Sequence, residues 1–103
     1  MIKVIIEKNE SIINSLEVSG HSNYDEKGKD IVCAGVSAII VGGLNALLNE
    51  NKKAINYECK EGYAYIFVKD VDNDNINKIL DVITTQLYTI EESYPKFIKI
   101  IEK

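Results

Sequence analysis

Hydrophobic and polar positions change period along the chain, and the changes mark out seven elements. Residues 2–8, IKVIIEK, are rich in β-branched side chains and read as a strand. Asn9, Glu10 and Ser11 form a turn, and residues 12–19, IINSLEVS, read as a second strand antiparallel to the first. In it Leu16 and Val18 alternate with Ser15, Glu17 and Ser19, as one buried face requires. Gly20 frees the backbone where this strand meets a polar loop, residues 22–29. From Ile31 to Asn49 the period becomes helical, with Val32, Val36, Ile39, Ile40, Gly43, Leu44, Leu47 and Leu48 on one broad face. Residues 54–60 and 63–69 form a hairpin around Glu61-Gly62. A second helix, about 74–92, carries the stripe Ile76, Ile79, Leu80, Ile83, Leu87 and Ile90, with Asp72 or Asn73 as its cap and Pro95 as its stop. Residues 96–102, KFIKIIE, fit an edge strand or a final helical turn. The order ββαββαβ predicts one α+β sandwich domain over residues 1–103, two helices on a mainly antiparallel sheet.

The first helix is unusual in being apolar nearly all round, because Cys33, Ala34, Ala38 and Val41 line its other side. Such a helix needs cover on more than one side, and a sheet covers only one. A homodimer, with a neighbouring subunit on the second side, is the expectation. The Gly42-Gly43 pair costs roughly 1 kcal/mol per glycine in a helix interior, so it implies close packing or a bend. No charge occurs from Ile31 to Asn49, a length near the membrane-spanning threshold. Gly35, Ser37, Gly42, Gly43 and Asn45 dilute that run and strands flank it, which favours a buried central helix.

Composition narrows the partners. Apolar residues make up 46% of 103, enough for one core. The net charge is −4 and all 12 basic residues are Lys, which argues against non-specific nucleic-acid binding and removes the bidentate guanidinium fork for phosphate. The apolar run before Glu7 is too short for a signal peptide, so the expected compartment is the reducing cytoplasm, with both thiols free. One His and two distant Cys do not make a zinc site, and no cofactor is expected.

Candidate chemistry gathers between Gly20 and Ile40. Asp30 is well placed to cap the first helix, which makes Cys33 its third residue, near the positive end of the macrodipole. That position favours the thiolate, the nucleophilic form. His21, the only histidine, ends the second strand and can fold back across the loop as its base. A lone His is more often structural, and a free Cys often behaves as a small buried hydrophobe; the combination around one loop is what points to catalysis. Asp30 has a second possible role, orienting His21 as a third member. The backbone N–H groups of Cys33 and Ala34 are candidate oxyanion donors. The loop, with Ser22, Asn23, Tyr24 and Gly28, is either a solvated connection or a flap over a peptide groove. Cys59, in a strand with no nearby His, reads as structural.

The string Gly20-His21, a glycine-containing loop, then Asp30-Ile31-Val32-Cys33-Ala34 and Val36-Ser37-Ala38 resembles the ribosomal-processing cysteine protease family, Prp. The likeness is densest from Gly20 to Ala38 and extends to Tyr94-Pro95 before the last apolar segment. It departs from the family at Ser22 and Gly35, where many relatives carry Ala. The resemblance implies a bacterial cysteine endopeptidase that removes the N-terminal extension of a large-subunit ribosomal protein, the twenty-seventh in that subunit's naming. It implies Cys33 as nucleophile, His21 as general base and then acid to the leaving amine, and Asp30 at the family's acidic position. It also implies a homodimer with a flexible loop over the site. The alternative is a non-catalytic ribosome-assembly module in which Cys33 is merely buried. A thiol-redox protein is disfavoured, since no second Cys lies near Cys33 in sequence.

Overall fold

The computed structural model describes residues 1–103, and the expected element order is the observed one. The elements are β1 (Ile2–Asn9), β2 (Ile12–Ser19), α1 (Ile31–Asn51), β3 (Ile55–Lys60), β4 (Tyr63–Val68), α2 (Asp74–Ser93) and β5 (Ile98–Glu102). The strands make one sheet in the order β3-β4-β2-β1-β5. The pairs β1–β2, β2–β4 and β3–β4 are antiparallel. The segment left open between strand and helical turn is a strand. It pairs in parallel with β1, from Ile2 opposite Ile98 to Ile6 opposite Glu102. Pro95 ends α2, and the chain then runs back along the free edge of β1, so the sheet has one parallel edge.

The helices cover the sheet face that carries Val4, Ile6, Leu16, Val18, Ile66 and Val68, all buried in a single core cluster with residues of α1 and α2. Fully burying each such side chain stabilises the fold by roughly 1.5–3 kcal/mol. One strand departs from simple alternation. Ser15, expected on the solvent side, is buried between Glu7 and Phe67 in register. A register shift between Glu7 and Lys8 brings Ile13, rather than Asn14, opposite Lys8, so both Ile13 and Leu16 reach the core.

Asp30 caps α1 and Asn73 caps α2, each side chain accepting from the backbone N–H three residues on, of Cys33 and Ile76. The buried stripe of α1 is Val32, Val36, Ile40, Leu44 and Leu47. Part of its remaining surface is covered by α2. A Cβ on Gly43 would lie 2.5 Å from Ile83 Cδ1, and one on Gly35 would lie 3.3 Å from Ile90 Cδ1. The helices therefore meet through glycine. Gly42 faces open space. What stays uncovered is a strip of Ile31, Ala34, Ala38 and Val41, with Ile31 53% and Val41 47% exposed. By length and composition α1 could cross a membrane, with 21 residues and a mean hydropathy of 2.2. In this fold one face of it joins the core beside α2, through Val32, Val36, Ile40, Leu44 and Leu47.

Candidate active site

Two glycines fix where His21 stands. Gly20 takes φ +91°, and a Cβ there would lie 2.6 Å from the Met1 carbonyl oxygen, so only glycine lets β2 end as it does. Its N–H donates to the carbonyl of Gly62 at 2.9 Å, tying the end of β2 to the β3–β4 turn. The His21 ring then lies against Gly62, with Nε2 3.0 Å from the place of a Cβ. His21 is exposed and Cys33 half-buried, and both line one cleft of about 770 Å³. Val36 and Ile40 give the cleft apolar lining; Lys60 and Glu61 come from the hairpin. No three acidic, His or Cys side chains converge as metal ligands.

The sulfur of Cys33 is held by Ser22. The Ser22 N–H donates to Sγ at 3.3 Å, and Ser22 Oγ lies 3.3 Å from the same atom. The imidazole makes no hydrogen bond to Cys33 or Asp30 in this structure, an arrangement common in unliganded active sites, where catalytic contacts tighten on substrate binding.

Asp30 caps α1, and in this structure its carboxylate bonds to the loop rather than to His21. Its carboxylate accepts from the Cys33 N–H at 3.0 Å, the Tyr24 N–H at 3.0 Å, the Asp25 N–H at 3.4 Å and the Ser22 hydroxyl. Desolvation pushes its carboxyl up, but the Ser22 hydroxyl and the Cys33, Asp25 and Tyr24 amides together outweigh that and hold it at about 2. Three of these donors converge on Oδ2 and one on Oδ1, so the group binds the loop to the helix.

These bonds correct three expectations. The amides of Cys33 and Ala34 are not free for an oxyanion: the first is taken by the Asp30 side chain and the second donates to the Asp30 carbonyl at 3.0 Å. Ser22 and Tyr24 do not line the cleft. Ser22 is buried, drawn inward by Asp30 and Cys33. Tyr24 turns outward and packs edge-on against Tyr94 and Phe97, with centroids at 5.5 and 5.1 Å. Asn23 and Gly28 do line the cleft, both at positive φ, as do Asp25 and Lys27. Lys27 reaches Glu61 at 3.1 Å and so joins loop to hairpin at the cleft. Cys59 is not a packing residue. It is exposed and lines the same cleft, because α1 and α2 stop short of the β3 edge and leave five of its six residues uncovered.

Sequence reasoning passed over Ser22 as a contact of the sulfur and Gly62 as the rest for His21. The first had a faint signal, a small hydroxyl between strand end and cap; the second is a contact between distant segments, which spacing does not reveal.

The sequence profile of the family described as Cysteine protease Prp matches residues 1–99. The chain belongs to this family. It is 38% identical over 103 residues to the ribosomal processing cysteine protease Prp of Staphylococcus aureus, covering 97% of each chain. It is 39% identical over 104 residues to the protein of that name from Mycoplasma genitalium, covering 100% of this chain and 97% of the relative. The crystal structure of the S. aureus protease with a covalently linked product peptide superposes with a TM-score of 0.95, at 34% identity and full coverage of both chains. The same protease with a substrate peptide superposes with a TM-score of 0.88 at 32% identity, again over both full chains. The two-helix, five-strand fold is thus that of Prp, and the chain is a cysteine protease.

Proposed function

We propose that this protease is a ribosomal-processing endopeptidase that removes the N-terminal extension of a large-subunit ribosomal protein, the twenty-seventh in that subunit's naming, with Cys33 as nucleophile and His21 as general base. The observation that carries the reading is that the only histidine and the first-turn cysteine of a capped helix line one open cleft. The names of the relatives, ribosomal processing proteases, support the substrate class.

The chemistry is acyl transfer. His21 takes the proton of the Cys33 thiol, and the sulfur attacks the scissile carbonyl to form a tetrahedral oxyanion. Collapse breaks the C–N bond, His21 returns the proton to the leaving amine, and a thioester joins the acyl fragment to Sγ. Water, deprotonated by His21, then releases the acid and restores the thiol. The helix N-terminus favours negative charge on the sulfur while it is the attacking group. Asp30 keeps that terminus fixed.

The exposed strip of Ile31, Ala34, Ala38 and Val41 supports a homodimer that buries it, beside the cleft. Substrate and dimer are both placed in the cytoplasm by this reading, without direct contact to nucleic acid or membrane.

The test is an intact-mass assay of the extension-bearing ribosomal protein mixed with wild type and with Cys33→Ala. One truncated product with wild type and none with Cys33→Ala is the expected result. Binding without cleavage by either protein favours an assembly module instead.

A further inference from the structure

We infer that Ser22 is a positioning residue for the nucleophile: its hydroxyl links the helix-cap carboxylate of Asp30 to the Cys33 sulfur and holds the resting thiol as a hydrogen-bond donor. The inference rests on Cys33 being the reacting group. It comes from a donor and acceptor census at one buried oxygen.

A serine hydroxyl has one hydrogen and two acceptor lone pairs. Ser22 is 2% exposed, so water does not complete its shell. Around its Oγ stand Asp30 Oδ2, the Tyr24 N–H at 3.3 Å and Cys33 Sγ at 3.3 Å. The Asp30 carboxylate is ionised and accepts only, so it takes the single hydroxyl hydrogen. The Tyr24 N–H, which donates to Asp30 Oδ2 at 3.0 Å, shares its hydrogen with one lone pair of Ser22 Oγ. What faces the sulfur is the second lone pair. The Cys33 S–H therefore donates to Ser22 Oγ, while the Ser22 N–H donates to Sγ.

One residue thus acts on both protonation states. Its hydroxyl favours the thiol and fixes its rotamer, and its backbone N–H favours the thiolate that forms once His21 takes the proton. Serine at this position thus orients the resting thiol before His21 takes its proton.

Other titratable groups face the same cleft: His21 from the end of β2, Asp25 and Lys27 from the loop, and Cys59, Lys60, Glu61 and Tyr63 from the hairpin. None of these is bonded to Ser22; Asp30, which also lines the cleft, loses one donor in Ser22→Ala but stays ionised across the labelling range, so a difference between variants reads the hydroxyl.

The experiment is iodoacetamide labelling of the intact protein from about pH 5 to about pH 9, with Cys33 and Cys59 quantified separately by peptide mass. In Ser22→Ala the pH of half-maximal labelling of Cys33 falls by about half to one unit, the size of one ordinary hydrogen bond, while that of Cys59 stays put. Ser22→Thr, which keeps the hydroxyl, restores the wild-type profile. An unchanged or raised profile in Ser22→Ala overturns the inference. A second measurement needs no change at Ser22: the infrared S–H band lost in Cys33→Ala lies at the frequency of a hydrogen-bonded thiol, below that of a thiol without an acceptor. A band at the frequency of a thiol without an acceptor overturns the inference as well. Both readouts concern the thiol itself, so they stand apart from the cleavage assay, whose failure would instead remove Cys33 as nucleophile.

Discussion

His21 Nε2 lies 3.0 Å from the position a Cβ would occupy on Gly62, so the proposed base of the reaction rests on a residue with no side chain. Gly62 also holds φ +74°, where L side chains are strained. Gly62→Ala therefore pushes the ring aside as well as straining the turn. Misplacing a catalytic group by about 1 Å costs up to about a hundredfold in rate, so peptide cleavage should fall by about ten- to a hundredfold. Thermal unfolding should fall only by what about 1 kcal/mol produces. Steady-state cleavage alongside a melting curve checks both. Full activity in a folded variant shows that the ring is positioned by something else.

Asp30 gives the molecule an acid-sensitive joint. Its carboxyl is held at about 2, against an ordinary 3.8, by the hydroxyl and amides that bind it. A depressed folded-state value contributes stability that is present above 3.8 and is lost as pH falls toward about 2. Asp30→Asn cannot lose what it does not have. The melting temperature of the variant is below wild type at neutral pH, and the gap narrows as pH drops through that window. A gap that stays constant down to about pH 2 contradicts the assignment.

Tyr24 latches the loop to the far end of the chain through Tyr94 and Phe97. Aromatic pairs of this kind stabilise by about 0.5–1.5 kcal/mol each. In Tyr24→Ala the backbone N–H groups of residues 24 and 25, which donate to Asp30, should exchange with solvent about tenfold faster or more. Hydrogen exchange of peptides spanning residues 22–30 measures this directly. Exchange equal to wild type means that Asp30 alone holds the loop.

The glycine pair of α1 separates two effects of the same substitution. Gly42 faces open space, so Gly42→Ala should stabilise by up to about 1 kcal/mol through helix propensity. At Gly43 a Cβ would lie 2.5 Å from both Ile83 Cδ1 and Cγ1. Overpacking of that kind costs about 1–3 kcal/mol, which exceeds the propensity gain. Gly43→Ala should be the less stable of the two by about 1 kcal/mol or more in urea unfolding. Equal midpoints would mean that α2 shifts freely on α1.

The seven elements were legible because their signals are local. The stripe from Ile76 to Leu87, the caps Asp30 and Asn73, and Pro95 each declare themselves within a few residues. The last strand was ambiguous because KFIKIIE is short, and its state depends on the free edge of β1, nearly a hundred residues away. The strand assignment of Cys59 was right, but its exposure on the cleft was not legible, since that depends on how far the helices extend over β3. The site was half legible. His21, Cys33 and the cap could be read from spacing, as could the loop between them. That the cap carboxylate bonds to the loop rather than to His21, and that Ser22 lies between it and the sulfur, depends on how residues 22–25 fold back on Asp30.

The central claim is that Cys33 carries the acyl group. The direct test is rapid acid quench of wild type with an extension-bearing substrate, followed by intact mass and peptide mapping. The account predicts a transient protein species heavier by the acyl fragment, with the added mass on the peptide containing Cys33 and no such species in Cys33→Ala. Added mass on Cys59 instead, or wild-type turnover by Cys33→Ala, would contradict it.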